Sequence, residues 1–327
     1  MPTTPQDLDR LIHSVLTELG WNANASAIAE RVRRLDVGLP CEDEFSVVCG
    51  WLGKCRLLHK LDQQQIPVSS LQEFQVPDLL ALFSTQATTM PVLIEVKSKA
   101  KNILSFRPDY LEKLTNYANL LKMPLLIAWK FHNVWTLFEA KHLKKATKNF
   151  NISLETAAKE NLLGVLVGDV AYTIGAGAGV HVRFRKDKMI GREKEDDSTT
   201  EKWSTTPDGV AFTDYHGNRR TDLDSEVRSL FTAWDLEEQK TLTDTHITVS
   251  FVAGSEGIQF AHTSLVHLLN WELPRDQDLN WRHLLQGEKI IKNIENFSAA
   301  LNSGLKQNIV YYVFHLRPHT IPDFISP

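Results

Sequence analysis

The chain has 327 residues, 43% of them hydrophobic and 23% charged, with a net charge of −4. That length and apolar content suit two domains, or one domain with a large extension. No run approaches the roughly 18 apolar residues of a membrane span, and Met1-Pro-Thr-Thr-Pro-Gln-Asp lacks the basic-then-apolar pattern of a secretory signal. Three cysteines (Cys41, Cys49, Cys55) without Cys-x-x-Cys spacing support neither a disulfide framework nor a zinc site, and the expected setting is a reducing cytoplasm. The charge is uneven. Residues 1–150 hold 18 Lys and Arg against 15 Asp and Glu, and the remainder holds 18 against 25. A balance of +3 in the first part permits a nucleic-acid partner there.

Apolar residues recur at helical spacing over 6–19 (Leu8, Leu11, Ile12, Val15, Leu16, Leu19) and over 25–35 (Ile28, Val32, Leu35). Joined by Gly20-Trp21-Asn22, this pair reads either as the front of a helix-turn-helix or as two packing helices. Residues 43–61 predict a third helix striped by Phe45, Val48, Leu52, Leu57 and Leu58. An extended segment near 65–68 and strands near 74–84 and 91–97 follow. A helix is then expected over 108–122, opening after Arg107-Pro108 and stopped by Met123-Pro124. Strands at 125–129 and 134–138 turn at His132-Asn133. Helix, three strands, helix, two strands fits a mixed sheet flanked by helices, an α/β fold.

Further on, strands are expected at 162–174 and 180–185 around a hairpin connection, Gly175-Ala-Gly-Ala-Gly179. Residues 186–207 are hydrophilic and read as mobile. A helix at 223–236, a strand at 245–253, helices at 261–271 and 279–304 and a strand at 309–316 complete the chain. The Asp214–Arg220 stretch reads as a polar turn, and His315 and His319, with Pro318 between them, cannot share a helix face.

The chemistry concentrates at Val76-Pro77-Asp78 and Leu93-Ile94-Glu95-Val96-Lys97. Strand side chains alternate faces, so Glu95 and Lys97 point one way and Ile94 and Val96 the other. Apolar strands have no structural use for such a charged pair, whereas phosphodiester hydrolysis has. It needs a nucleophilic water, neutralised phosphoryl oxygens and help for the leaving oxygen. Carboxylates holding a hard divalent cation supply these, with the Val96 carbonyl as a further ligand and Lys97 as the cation that orients water.

In Pro77-Asp78 and Glu95-Val96-Lys97, in this order of elements, the sequence resembles the PD-(D/E)XK nuclease superfamily of restriction endonucleases and Holliday-junction resolvases. The resemblance covers about residues 40–140. It implies a restriction-endonuclease-like core, Mg²⁺ (or Mn²⁺) bound by Asp78, Glu95 and the Val96 carbonyl, and catalysis by Asp78, Glu95 and Lys97. It also implies an acidic residue on the first core helix. Glu44 fits best, with Val47, Val48 and Trp51 behind it, and Glu42 is the fallback.

Lys99, Lys101, Arg107, Lys144 and Lys145 follow the active strand and the last core strand, and are candidate phosphate contacts. The expected organisation is a helical segment at 1–37, a nuclease core at 38–150 and an α/β C-terminal domain at 151–327 for substrate selection or assembly. The expected activity is that of a metal-dependent DNA endonuclease of restriction, defence or transposition type, acting as a homodimer, with or without protein partners of such a system. The alternatives are a structure-selective resolvase or exonuclease, or a silent binding module of the same fold.

Overall fold

The structure, a computed structural model, describes residues 41–85, 90–195, 198–272 and 296–325. The helices expected at 6–19 and 25–35, and the first part of that at 279–304, lie outside the described residues. The chain divides into two units. One takes in described residues up to Asp169 and from Leu316 onward, and the other runs from Val170 to Trp271 and up to His315.

The first unit is built on a five-stranded sheet. Its strands are β1 (Cys55–Lys60), β2 (Leu79–Phe83), β3 (Val92–Ser98), β5 (Leu125–Phe131) and β6 (Val134–Glu139), in the order β1-β2-β3-β5-β6. Only β3 and β5 run parallel, so the sheet is mixed. Residues Val92 to Val96 of the central strand are all buried, as expected for a strand covered on both faces.

Helix α1 (residues 41–51) covers one face, with the Phe45 ring 4.8 Å from that of Trp135. Helix α2 (Pro108–Leu121) covers the other, packing Leu111, Leu114 and Ala118 against Leu93, Ile127 and Trp129. Pro108 suits the first turn of α2, where its missing N–H costs nothing, and Asp109 complements the positive helix end. Lys122, left-handed at φ 54°, closes the helix.

A small second sheet joins β4 (Ile103–Phe106), β8 (Phe150–Ser153) and β7 (Lys144–Lys145). Short helix α3 (Leu154–Lys159) follows, opened by the Ser153 side chain capping the Thr156 N–H.

The helix expected over 43–61 stops at Trp51. Gly53, at φ 105°, reverses the backbone, and the Leu57 and Leu58 half becomes β1. Of the strand expected at 162–174, only β9 (Val170–Ile174) forms, and Leu163–Val167 makes a π-helical turn.

In the second unit β9 lies between β15 (Gln259–Phe260) and β16 (Val310–His315). A separate five-stranded sheet has the order β12-β11-β10-β14-β13, with β12 Arg219–Arg220, β11 Ser198–Thr213, β10 Gly179–Glu195, β14 His246–Val252 and β13 Glu237–Leu242. Helix α4 (Ser225–Thr232) packs on that sheet through Phe231, whose ring lies 5.9 Å from Phe212. The unit also holds α5 (Ala261–Glu272) and α6 (Phe297–Lys306), with Tyr172 against Trp234 and Phe297 in the core.

Gly175–Gly179 is therefore not a hairpin turn, because β9 and β10 belong to different sheets. A Cβ on Gly175 would run into Tyr215 and one on Gly179 into the Phe251 carbonyl, so these glycines permit close approach. The hydrophilic stretch expected to be mobile pairs instead. Strands β10 and β11 form one long ribbon through it, where Thr205, Thr206 and Trp203 supply strand-favouring side chains. The polar turn is as expected: Asp214 accepts the N–H groups of His216 and Asn218 at 3.0 and 2.9 Å.

Candidate active site

Pairing of Leu79 with Ile94 sets the register of β2 and β3, so one step further Asp78 comes opposite Glu95. The two carboxylates thus share the α2 face of the sheet, where Lys97 also points. Asp78 accepts the Val96 N–H at 2.8 Å, which ties it to the neighbouring strand.

Glu95 is fully buried, at 0% exposure. Its Oε1 is paired with the Lys97 ammonium and accepts the Tyr110 phenol at 2.6 Å. Its Oε2 is buried with no hydrogen-bond partner. Lys97 also donates to the Val96 carbonyl at 3.2 Å and lies 5.4 Å from the centre of the Tyr110 ring.

Burial, and then the charge of Glu95, push the Asp78 carboxyl well above its ordinary range. Burial would lower Lys97, but Glu95 and Asp78 outweigh it and hold the ammonium charged. Burial and Glu95 together raise the Tyr110 phenol, so it remains a donor. Two crowded carboxylates, one with an orphaned buried oxygen, are short of positive charge.

That donor set fits a hard cation: carboxylate oxygens from Asp78 and Glu95, and the Val96 carbonyl, whose second lone pair remains after the bond from Lys97. Among the described residues no group of three or more His, Cys, Asp or Glu forms a metal-ligating cluster. An ion at this pair would therefore rely on backbone and water for its other ligands, as Mg²⁺ commonly does.

The structure brings Asp78, Glu95, Val96 and Lys97 together but places Glu44 elsewhere. Glu44 is buried over the opposite face of the sheet, where its Oε2 pairs with Lys130 at 2.5 Å and its Oε1 accepts the Trp135 indole at 3.0 Å. The helical period explains the difference. Glu42, two residues earlier, is turned towards Lys60 at 3.2 Å and lies within electrostatic reach of both Asp78 and Glu95. Burial raises the Glu42 carboxyl, with Lys60 opposing that rise.

Tyr110 falls in the helix expected over 108–122, and the sequence alone does not give it this contact. Its signal was a phenol on the first turn of the helix that packs over the Glu95 face.

Of the candidate phosphate contacts, Lys101 and Arg107 flank β4 and are exposed, with Arg107 3.8 Å from Asp109. Lys144 and Lys145 are exposed on β7, which shares the small sheet with β4 through β8. Lys99 is half-buried, and its carbonyl accepts the Trp129 indole at 3.0 Å.

The mixed sheet, its helices on both faces and the Asp78, Glu95 and Lys97 set resemble the restriction-endonuclease-like core of PD-(D/E)XK nucleases. Residues 65–170 match the family model described as archaeal Holliday junction resolvase (Hjc). The 1.6 Å structure of Archaeoglobus fulgidus Hjc, a Holliday junction resolvase from an archaeal hyperthermophile, is 21% identical to it. That match covers 38% of this chain and 88% of the other, with a TM-score of 0.27. No curated protein matches the chain. No described helix is long and apolar enough to cross a membrane.

Proposed function

We propose that this chain is a divalent-metal-dependent deoxyribonuclease that hydrolyses phosphodiester bonds in branched DNA. The observation that carries the reading is Glu95: a fully buried carboxylate with one oxygen clasped by Lys97 and Tyr110 and the other without a hydrogen-bond partner. Burying a charge in this way is expensive, and a bound cation offsets the cost.

Asp78, Glu95 and the Val96 carbonyl would hold Mg²⁺ or Mn²⁺, which supplies an activated water and neutralises charge on the phosphoryl oxygens. Lys97, held charged by its two carboxylate neighbours, donates to the developing negative charge of the phosphorane. Tyr110 fixes the rotamer of Glu95. Glu42, rather than Glu44, is the helix carboxylate that adds negative potential at the pair. Lys101, Arg107, Lys144 and Lys145 would contact phosphates beside it.

The family match of residues 65–170 supports a branched substrate over a sequence-specific restriction site. A four-way junction presents two symmetric scissile points, so a homodimer with one site per chain is the matching assembly. The test is a substrate panel of four-way junction, linear duplex and single strands, with Mg²⁺ or Mn²⁺ against EDTA. Metal-dependent cutting of the junction in preference to the others is expected. Equal cutting of linear duplex would move the reading to a general endonuclease, and no cutting at all would move it to a binding module.

A further inference from the structure

Helix α1 carries three consecutive acids, Glu42, Asp43 and Glu44, and the sheet meets them with two different lysines. Lys130 of β5 takes Glu44. Lys60, the last residue of β1, takes the other two. Its ammonium lies 3.2 Å from Glu42 Oε2 and is also paired with Asp43 Oδ1.

Lys60 is placed by backbone as well as by charge. It pairs with Leu79 in the β1–β2 register, and the next amide, that of Leu61, donates to the Asp78 carbonyl at 3.0 Å. The strand end that carries Lys60 is thus bonded to the residue that supplies one carboxylate of the proposed metal pair. The side chains of Lys60, Glu42 and Asp43 are only 19%, 22% and 11% exposed, which sets them apart from solvated surface pairs of little consequence.

Two lysines therefore divide the carboxylates near the site. On the α2 face Lys97 holds one oxygen of Glu95 and leaves the other open. Lys60 holds Glu42, the helix carboxylate whose charge reaches Asp78 and Glu95. A two-metal phosphodiesterase sets its ions about 3.5–4 Å apart, and each ion needs anionic ligands. With Asp78 and Glu95 engaged at one ion, Glu42 is the carboxylate left for another. An ammonium on its oxygen repels a second divalent ion. Among the described residues Glu42 joins no metal-ligating cluster with Asp78 and Glu95.

We infer that the Lys60 ammonium stands in the place of a second divalent cation beside Glu42, and so sets the site to one metal ion per chain. The inference rests on the metal-dependent reading of Asp78 and Glu95. Lys60 is a positioning residue, acting through Glu42 and not on the substrate. Charge building on the phosphorane is then met by Lys97 in place of a second metal.

The test counts Mn²⁺ bound by the full chain, by calorimetry and by the electron paramagnetic resonance of the free ion. Ions that Asp78→Asn still binds are subtracted as belonging elsewhere. Wild type should bind one, Lys60→Gln two, and Lys60→Arg, which restores the cation, one again. Glu42→Gln/Lys60→Gln removes the freed carboxylate and should also return the count to one. Thermal unfolding checks each fold. Lys60→Met, which keeps the apolar stem of the side chain, replaces Lys60→Gln if that variant unfolds, and the wild-type count tests the inference in either case.

Two ions in wild type, one in folded Lys60→Gln, or two in the double variant would each overturn the inference and leave the metal pair standing. A lower unfolding midpoint in Lys60→Gln with an unchanged count would make the lysine merely structural. A wild type that binds no more Mn²⁺ than Asp78→Asn would remove the metal reading itself, and the inference with it.

Discussion

The Tyr110 phenol donates to Glu95 Oε1 at 2.6 Å, the oxygen that Lys97 also holds, and so leaves Oε2 as the free donor atom of a buried carboxylate. In the proposed metal site, a residue on α2 thereby sets how a residue on β3 would meet the cation. Tyr110→Phe keeps the ring and its packing but removes one hydrogen bond to a charged group, a contribution of about 1.5–3 kcal/mol. The expected result is metal binding weakened roughly tenfold or more, read by calorimetric Mg²⁺ or Mn²⁺ titration on the folded protein, with the unfolding midpoint lowered by several degrees. Metal affinity equal to wild type would show that Lys97 alone orients Glu95.

Glu44 and Glu42 should separate stability from chemistry. Glu44→Ala leaves Lys130 and the Trp135 indole without their buried partner, and breaking such a pair costs about 3–5 kcal/mol. Urea unfolding should register that loss, while metal affinity of the folded fraction stays as in wild type. Glu42→Gln should do the opposite, lowering metal affinity with a smaller effect on stability, because its charge is felt at Asp78 and Glu95. Weaker metal binding in Glu44→Ala at full folding would return Glu44 to the site.

The three thiols are expected to be silent in the folded protein. Burial pushes Cys41 and Cys55 up to about 11 and Cys49 well above its usual value, so almost no thiolate exists at pH 8. A chromogenic disulfide reagent should label none of them quickly under native conditions and all three after unfolding in denaturant. Rapid native labelling of Cys41 or Cys49 would contradict their burial on α1.

Much of the core was legible because its signals are local. Alternation at Glu95–Lys97, the Arg107-Pro108 opening of α2 and the break at His132-Asn133 each depend on a few neighbouring residues. The end of α1 was not legible: the apolar spacing of Leu57 and Leu58 suits a helix, and only the positive φ of Gly53 decides against it. Choosing between Glu42 and Glu44 needed the helix rotation relative to the sheet, which the positions of Lys60, Lys130 and Trp135 fix through tertiary packing. The part of the β10–β11 ribbon past Arg185 was hidden because its sequence is almost wholly hydrophilic, so neither hydrophobic alternation nor a helical period marks it.

The most direct measurement is the single-turnover cleavage rate of a four-way junction by wild type and Lys97→Ala in Mg²⁺, with EDTA as the blank. Losing one charged donor to the phosphorane should slow cleavage by about 100- to 1000-fold while leaving a folded, DNA-binding protein. Equal rates in the two proteins, or cutting that persists in EDTA, would contradict the assignment of this site.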